Sequence, residues 1–377
     1  MHIIANSSEL SQATSKLQGA LTDKSLSQIG LKTNGTELTL SATDRLLAAY
    51  STISCESKTD ATIFVPSKLF SEVIKELPKG EVTLFSENAF LVIQAGEAKD
   101  FEMKIPLIDN MMWRQPPSLD EQFQKQRAKI PTAALSYLID QTQFCVVQDS
   151  PRNYGTVAYL HKPQPGKLRM VGTDGFRLSY AEAELEVSAD FLHNGICLSK
   201  RALSELSRLS SEHVENIDVF ISDDETTLAV KVPGYLLFIR LSSVKYPNYI
   251  SVIPEIKKPG LLVSRDQLQG VCKRVLLAAD KSRALQLSFS KNALTLNSKT
   301  VGSSEGKEKI KLDDYVGPNF EVAINGKFLT DIFQTTSSEN VTLSFDDENN
   351  DAPIVVTPRS EPADCRSKHV LVPIKQK

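Results

Sequence analysis

The chain repeats itself three times, and that constrains its fold more than any single motif. A helix signal with Ser or Asn near its start, then a basic residue and apolar residues at helical spacing, occurs as PSKLFSEVIKEL (66–77), LSKRALSELSRL (198–209) and INGKFLTDIFQT (324–335). Each is followed by alternating runs on either side of a polar turn, the pattern of a hairpin: EVTLFSENAFLVIQ (81–94), IDVFISDDETTLAVKV (217–232) and NVTLSFDDENNDAPIVV (340–356). A second amphipathic stretch precedes each unit, SSELSQATSKLQGAL (7–21), PTAALSYLIDQTQFCV (131–146) and SRDQLQGVCKRVLLAA (264–279). Further hairpin signals lie between, including LKTNGTELTLSATDRLLAAYS (31–51), GKLRMVGTDGFRLSYAEAEL (166–185) and LQLSFSKNALTLNS (285–298). The offset is about 130 residues, near the usual size of one domain. Three copies of an α+β unit, each with two helices on antiparallel strands, fill the chain.

Two polar segments, PPSLDEQFQKQRAK (116–129) and PEIKKPG (254–260), read as linkers and set domains at 1–124, 125–256 and 257–377. The apolar fraction of 41% supports a buried core in each. Five scattered cysteines without a C-x-x-C pair argue against both a disulfide framework and a zinc site, and fit a reducing cytoplasm. The start MHIIANSSELSQ lacks the pattern of a secretory signal, and no apolar run is long enough to span a membrane.

Motifs for chemistry are absent where they would be expected. FDDENND (345–351) lacks the alternating ligands, central Gly and terminal Glu of a calcium loop and reads as a solvated turn. The histidines fall singly, and nucleophile-elbow, P-loop and dinucleotide fingerprints are missing together. A carboxylate-dependent hydrolase using Asp174 or the acids of 345–351 is the alternative to a binding protein. A net charge of −3 excludes a chain that binds nucleic acid with its whole surface. Basic residues nevertheless collect in and beside the helix signals, at Lys68, Lys75, Lys125, Arg127, Lys129, Lys200, Arg201, Arg208, Arg265, Lys273, Arg274, Lys281 and Arg283, on an otherwise acidic body. That distribution suits one surface facing phosphates.

Four segments, SATDRLLAAYS (41–51), VGTDGFRLSY (171–180), VKYPNYISVIP (244–254) and HVLVPIKQK (369–377), occur in the order and spacing of the bacterial sliding clamps, the beta subunits of replicative DNA polymerase, and the chain resembles that family over its whole length. The resemblance implies three clamp domains forming half of a six-domain ring: a head-to-tail homodimer, without enzymatic activity, that encircles duplex DNA irrespective of sequence and confers processivity. It implies docking of the replicative polymerase, the clamp loader and other proteins bearing clamp-binding motifs, and no cofactor, metal or membrane.

Carried over by position, the partner-peptide pocket comprises Thr173, Gly175, Phe176, Arg177, Leu178, Pro247, Val252, Asn325, Phe328, Val370, Leu371, Val372, Pro373 and Ile374. The DNA-facing set is Lys24, Gln148, Arg152, Lys200 and Arg201, and the dimer interface is Phe101 and Met103 against Leu276 and Leu277. Phe176 replaces a frequent His, Ser251 a frequent Arg and Ser282 an aromatic, while Asn153 or Tyr154 stands where a Leu is usual; these departures alter the motif the pocket prefers.

Overall fold

The computed structural model describes all residues except 23–26, 99, 110–118, 124–125, 186–190, 211–213, 257, 259, 313–314, 316 and 376–377, with the side chains of 120, 126 and 210 also left undescribed. Lys24 and parts of both linkers therefore lie outside the described residues.

Six helices of nine to eleven residues recur in pairs, Ser7–Lys16 with Ser67–Lys75, Thr132–Asp140 with Lys200–Ser210, and Arg265–Val275 with Gly326–Thr335. All six start directly after a strand, so the last strand residue serves as the cap. Asn6 Oδ1 accepts from the N–H groups of Ser8 and Glu9, Ser199 Oγ from Ala202, Ser264 Oγ from Gln267 and Asn325 Oδ1 from Lys327. These bonds satisfy amide donors that a helix start leaves orphaned. Pro66 ends the strand before Ser67–Lys75 and supplies no side-chain cap; its ring instead presets the turn into the helix.

The chain forms two compact units, Met1–Pro131 with His213–Leu241, and Thr132–Glu212 with Ser242–Lys377. Neither coincides with one repeat, because the strands of the middle repeat are divided. In the first unit, Gln126–Pro131, Asn216–Ile221, Thr227–Val232 and Tyr235–Arg240 continue into Leu47–Ser54, Glu37–Thr43, Gln28–Asn34 and Thr62–Pro66 as one eight-stranded sheet. The join is Tyr235–Arg240 against Leu47–Ser54, antiparallel, with Tyr235 opposite Ser51. A five-stranded sheet in the same unit ends on the edge strand Phe101–Pro106.

The second unit repeats this plan. Ile196–Ser199, Val157–His161, Lys167–Thr173 and Arg177–Glu184 continue into Cys365–Leu371, Ile354–Pro358, Asn340–Ser344 and Leu261–Ser264. Here Arg177 lies opposite Leu371 and Leu178 opposite Val370. A four-stranded sheet ends on Ser304–Lys311. Since side chains alternate across a strand, neighbours at this join serve different layers. Leu371 packs into the core with Leu285, Leu329 and Phe333, whereas Val370 joins Val171, Leu178, Tyr249 and Val355 on the opposite face.

The repeat extends to turn chemistry. In the first copy Thr43 Oγ donates to Leu47 O and Asp44 Oδ1 accepts from the amides of Leu46 and Leu47. In the second, Thr173 Oγ donates to Arg177 O and Asp174 Oδ1 accepts from Phe176 and Arg177. The Thr-Asp pair is thus a turn-forming device that the chain uses twice.

Candidate functional site

A cleft of about 510 Å³ lies in the second unit and is lined chiefly by the TDG turn and its strand, the stretch 247–254 and the last strand with its continuation, with Arg152, Tyr154 and Pro353 added from two further segments. The turn is self-contained. Gly175 has φ +87, a left-handed conformation that disfavours any Cβ, and a side chain there would strike the Arg152 guanidinium. Asp174 Oδ1 is held by two turn amides and Oδ2 by Arg177 Nε at 3.0 Å, so its carboxylate is engaged in structure rather than presented to a substrate.

Arg177 is the floor of the cleft. It is 6% exposed, and its guanidinium donates to Asp174, to Asp331 at 2.7 Å and to Phe144 O at 2.6 Å. The ring centroids of Phe328 and Phe144 lie 4.3 Å and 5.3 Å from the guanidinium carbon, so the cation rests over two aromatic rings. Two carboxylates and a carbonyl offset the desolvation of the charge.

The opposite wall is the short turn Tyr249–Val252. It is tied down from beneath: Arg169 Nη1 donates to the Tyr249 hydroxyl at 2.9 Å, and His161 Nε2 lies 2.9 Å from the same oxygen. Burial, reinforced by the nearby Arg169 charge, pushes His161 down to about 4, so the ring is neutral at physiological pH. The neutral ring and the Tyr249 hydroxyl share a hydrogen bond through Nε2, while that hydroxyl also accepts from Arg169. Burial by itself raises the Glu182 carboxyl, but Lys167 and Arg169 outweigh it and hold the group below the usual range. Glu182 in turn anchors Arg169, with Oε2 2.8 Å from Nε. Tyr159 stacks between His161 and Tyr246 and completes the base.

Of the expected pocket residues, Thr173, Gly175, Arg177, Leu178, Pro247, Val252, Val370 and Val372 line the cleft. Phe176 stands at its edge, 60% exposed, with Arg152 over its ring. Leu371 faces the core instead, for the reason of alternation given above. Asn325 caps a helix, and Phe328 contributes only through Arg177. Pro373 and Ile374 run on beside another strand, Ile374 N donating to Ala323 O at 2.7 Å. Tyr154, Asn248, Tyr249, Ser251, Ile253, Pro254 and Pro353 complete the lining. Most of these fall in YPNYISVIP, where a proline-bounded apolar run outside any strand was the available signal; Pro353 had none, because strand pairing alone brings it in.

Arg152, expected on the DNA side, lines the cleft and donates to Gly175 O at 3.1 Å. Lys200 and Gln148 are exposed, and Arg201 is half-buried in the helix Lys200–Ser210. Phe101 and Met103 are half-buried on the edge strand of their sheet. The pair Leu276 and Leu277 divides: Leu276 is packed into the core at 9% exposure and Leu277 is 85% exposed. A short turn of helix over Leu276–Ala278 points consecutive side chains in different directions, so only Leu277 is available to a partner. Thr300 Oγ and Ser304 Oγ both donate to Ala278 O, which brings Val301, 90% exposed, to the same end of the domain.

Comparison with known proteins agrees with this architecture along the whole chain. Residues 2–109 match the N-terminal domain of the DNA polymerase III beta subunit, 129–248 its central domain and 250–375 its C-terminal domain. The beta sliding clamp of Caulobacter vibrioides (strain NA1000 / CB15N) is 26% identical over 357 residues, 93% of this chain and 92% of the relative. That of Chlamydia trachomatis serovar D is 25% identical over 380 residues, covering all of this chain and 87% of the relative. Among solved structures, the sliding clamp from Caulobacter crescentus superposes with a TM-score of 0.88 at 25% identity, and a sliding clamp from Bartonella birtlesii bound to griselimycin with 0.90 at 23%; both matches cover each chain completely. With three clamp domains in the family's order, the chain belongs to the DNA polymerase III beta subunit family, the beta sliding clamps.

Proposed function

We propose that two copies of this chain close head to tail into a ring around duplex DNA, and that the ring tethers the replicative polymerase, the clamp loader and other partners through the cleft at the TDG turn. The observation that carries this reading is the complete run of three clamp domains, each with a pair of helices, in one chain. On this reading the functional domains divide near 124 and 256, and the middle one contributes strands to both compact units. The edge strands Phe101–Pro106 and Ser304–Lys311 are open to pairing across copies, with Leu277 and Val301 as apolar anchors. Lys200, Arg201 and Gln148 face the duplex, where modest charge steers without gripping. The protein performs no chemistry; it holds DNA by closure. A cytoplasmic location is in keeping with cysteines that are all free and buried, and no described helix is long and apolar enough to cross a membrane.

The test separates closure from contact. Loaded by a clamp loader onto a nicked circle, the protein should persist through salt that strips ordinary phosphate binders, because log K for contacts falls by about 0.9 per neutralised phosphate for each tenfold rise in salt. One restriction cut should then release it. Equal retention on circular and linear DNA, measured by gel filtration, would refute the ring.

A further inference from the structure

Beside the cleft lies a smaller cavity of about 130 Å³ that the reading above leaves without a role. The two share Pro254 and Pro353, so the cavity continues the cleft's lining. Its apolar part is Ile256, Phe345, Ala352 and Val355, and Ile256 is 42% exposed. Phe345 is fixed from behind by Phe320, whose ring stacks on it at 4.8 Å, and by Phe289.

The rim is acidic. Among the described residues, Glu255, Asp346 and Glu348 border the cavity together with the cation Lys258, whose ammonium pairs with Asp347 and lies 3.5 Å from Glu348. The acidic turn 345–351 is therefore more than solvated polarity, since its first residue forms part of the apolar wall and two of its carboxylates form the rim. A volume of this size accommodates one branched aliphatic side chain, and the described carboxylates, more numerous than the described cation, favour a neighbouring positive charge.

We propose that this cavity is a second docking subsite, taking an apolar side chain with an adjacent Lys or Arg from the same partner segment that fills the cleft. The inference rests on the cleft being the partner-peptide site. Continuity through Pro254 and Pro353 supplies the path, Ile256 and Phe345 the apolar contact, and Glu255, Asp346 and Glu348 the charge complement. The subsite thereby selects among partners by the residues flanking their core motif, which the cleft itself does not read.

Fluorescence anisotropy on the full chain provides the test. A labelled core peptide containing Gln, Leu and an aromatic is compared with versions extended at either end by a short spacer and Leu-Arg, and with matching Leu-Glu extensions. One Leu-Arg form should bind about tenfold tighter than the core peptide, and its Leu-Glu counterpart should not. Ile256→Asp should abolish the gain, and Glu255→Gln with Glu348→Gln should reduce it, while the core peptide keeps its wild-type affinity for both variants. No gain from either Leu-Arg extension on the wild type, or a gain that survives Ile256→Asp, would overturn the subsite while leaving the cleft in place. Failure of the core peptide to bind the wild type would refute the cleft reading and this one with it.

Discussion

The Arg177 guanidinium and the Asp331 carboxylate meet at 2.7 Å, with both side chains largely buried, although one residue follows the TDG turn of the middle repeat and the other sits on the last helix of the third. The pair joins the floor of the cleft to the helix Gly326–Thr335, and Lys327 Nζ adds a second cation at 2.9 Å from Asp331. Asp331→Ala should cost about 3 kcal/mol, because it leaves a buried guanidinium short of a partner. Arg177→Met combined with Asp331→Leu should recover part of that loss. Urea midpoints of the single and double variants measure both; a double variant no more stable than Asp331→Ala would show that packing, not charge, dominates the site.

His369 supplies a prediction about pH. It is fully buried, with Nδ1 2.9 Å from Ser179 Oγ, and burial pushes it down to about 3. Its folded value lies below the ordinary one of about 6.5, so the unfolded chain takes up a proton that the folded chain refuses. The stability this group contributes is fully present above pH 6.5 and is lost as pH falls toward 3, at about 1.4 kcal/mol per pH unit. Urea titrations between pH 7.5 and 4.5 should show a shallower decline for His369→Gln, by about one proton. An unchanged slope would place the proton uptake elsewhere.

Leu276 and Leu277 should respond oppositely to substitution. Leu276→Ala empties part of the core around Leu329 and should lower stability by about 2–4 kcal/mol with little effect on dimer formation. Leu277→Asp, at 85% exposure, should leave the fold intact and give monomers. Sedimentation equilibrium beside thermal melts separates the effects. A stable dimer of Leu277→Asp would remove this residue from the interface.

Adjacent leucines also mark where sequence reading stops. The repeat, the helix signals with a Ser or Asn near the start and the hairpin at the TDG turn were legible because each depends on spacing or local hydrogen bonding, and a cap such as Asn325 acts within two residues. Which of Leu276 and Leu277, or of Val370 and Leu371, faces inward depends on backbone direction at the end of an element. A one-residue shift reverses it, and apolar composition is the same either way. The division of the middle repeat between two sheets was illegible for a related reason: the joins Tyr235 with Ser51 and Arg177 with Leu371 pair strands far apart in sequence, and no local spacing or turn specifies which strand an edge will meet. Tyr249, Pro254 and Pro353 reach the cleft only once those pairings exist.

Tyr249 gives the last prediction. Its ring packs with Val171, Leu178 and Val370 while its hydroxyl takes the Arg169 proton and faces His161, so one side chain both backs the cleft and pins the turn that carries Ser251 and Val252. Tyr249→Phe keeps the packing and removes the hydroxyl, leaving Arg169 with Glu182 and depriving His161 Nε2 of its hydrogen-bond partner. A hydrogen bond to a charged group contributes about 1.5–3 kcal/mol, part of which the wall loses as rigidity. Core-peptide affinity should therefore weaken about five- to tenfold, and the dissociation rate should rise while the association rate changes little. His161→Gln, whose amide can still hydrogen-bond the hydroxyl, should retain most of the wild-type affinity, whereas His161→Leu should resemble Tyr249→Phe. Dimer mass should be the same in all three. Equal affinity of Tyr249→Phe and wild type in a calorimetric titration would mean that ring packing alone sets the wall.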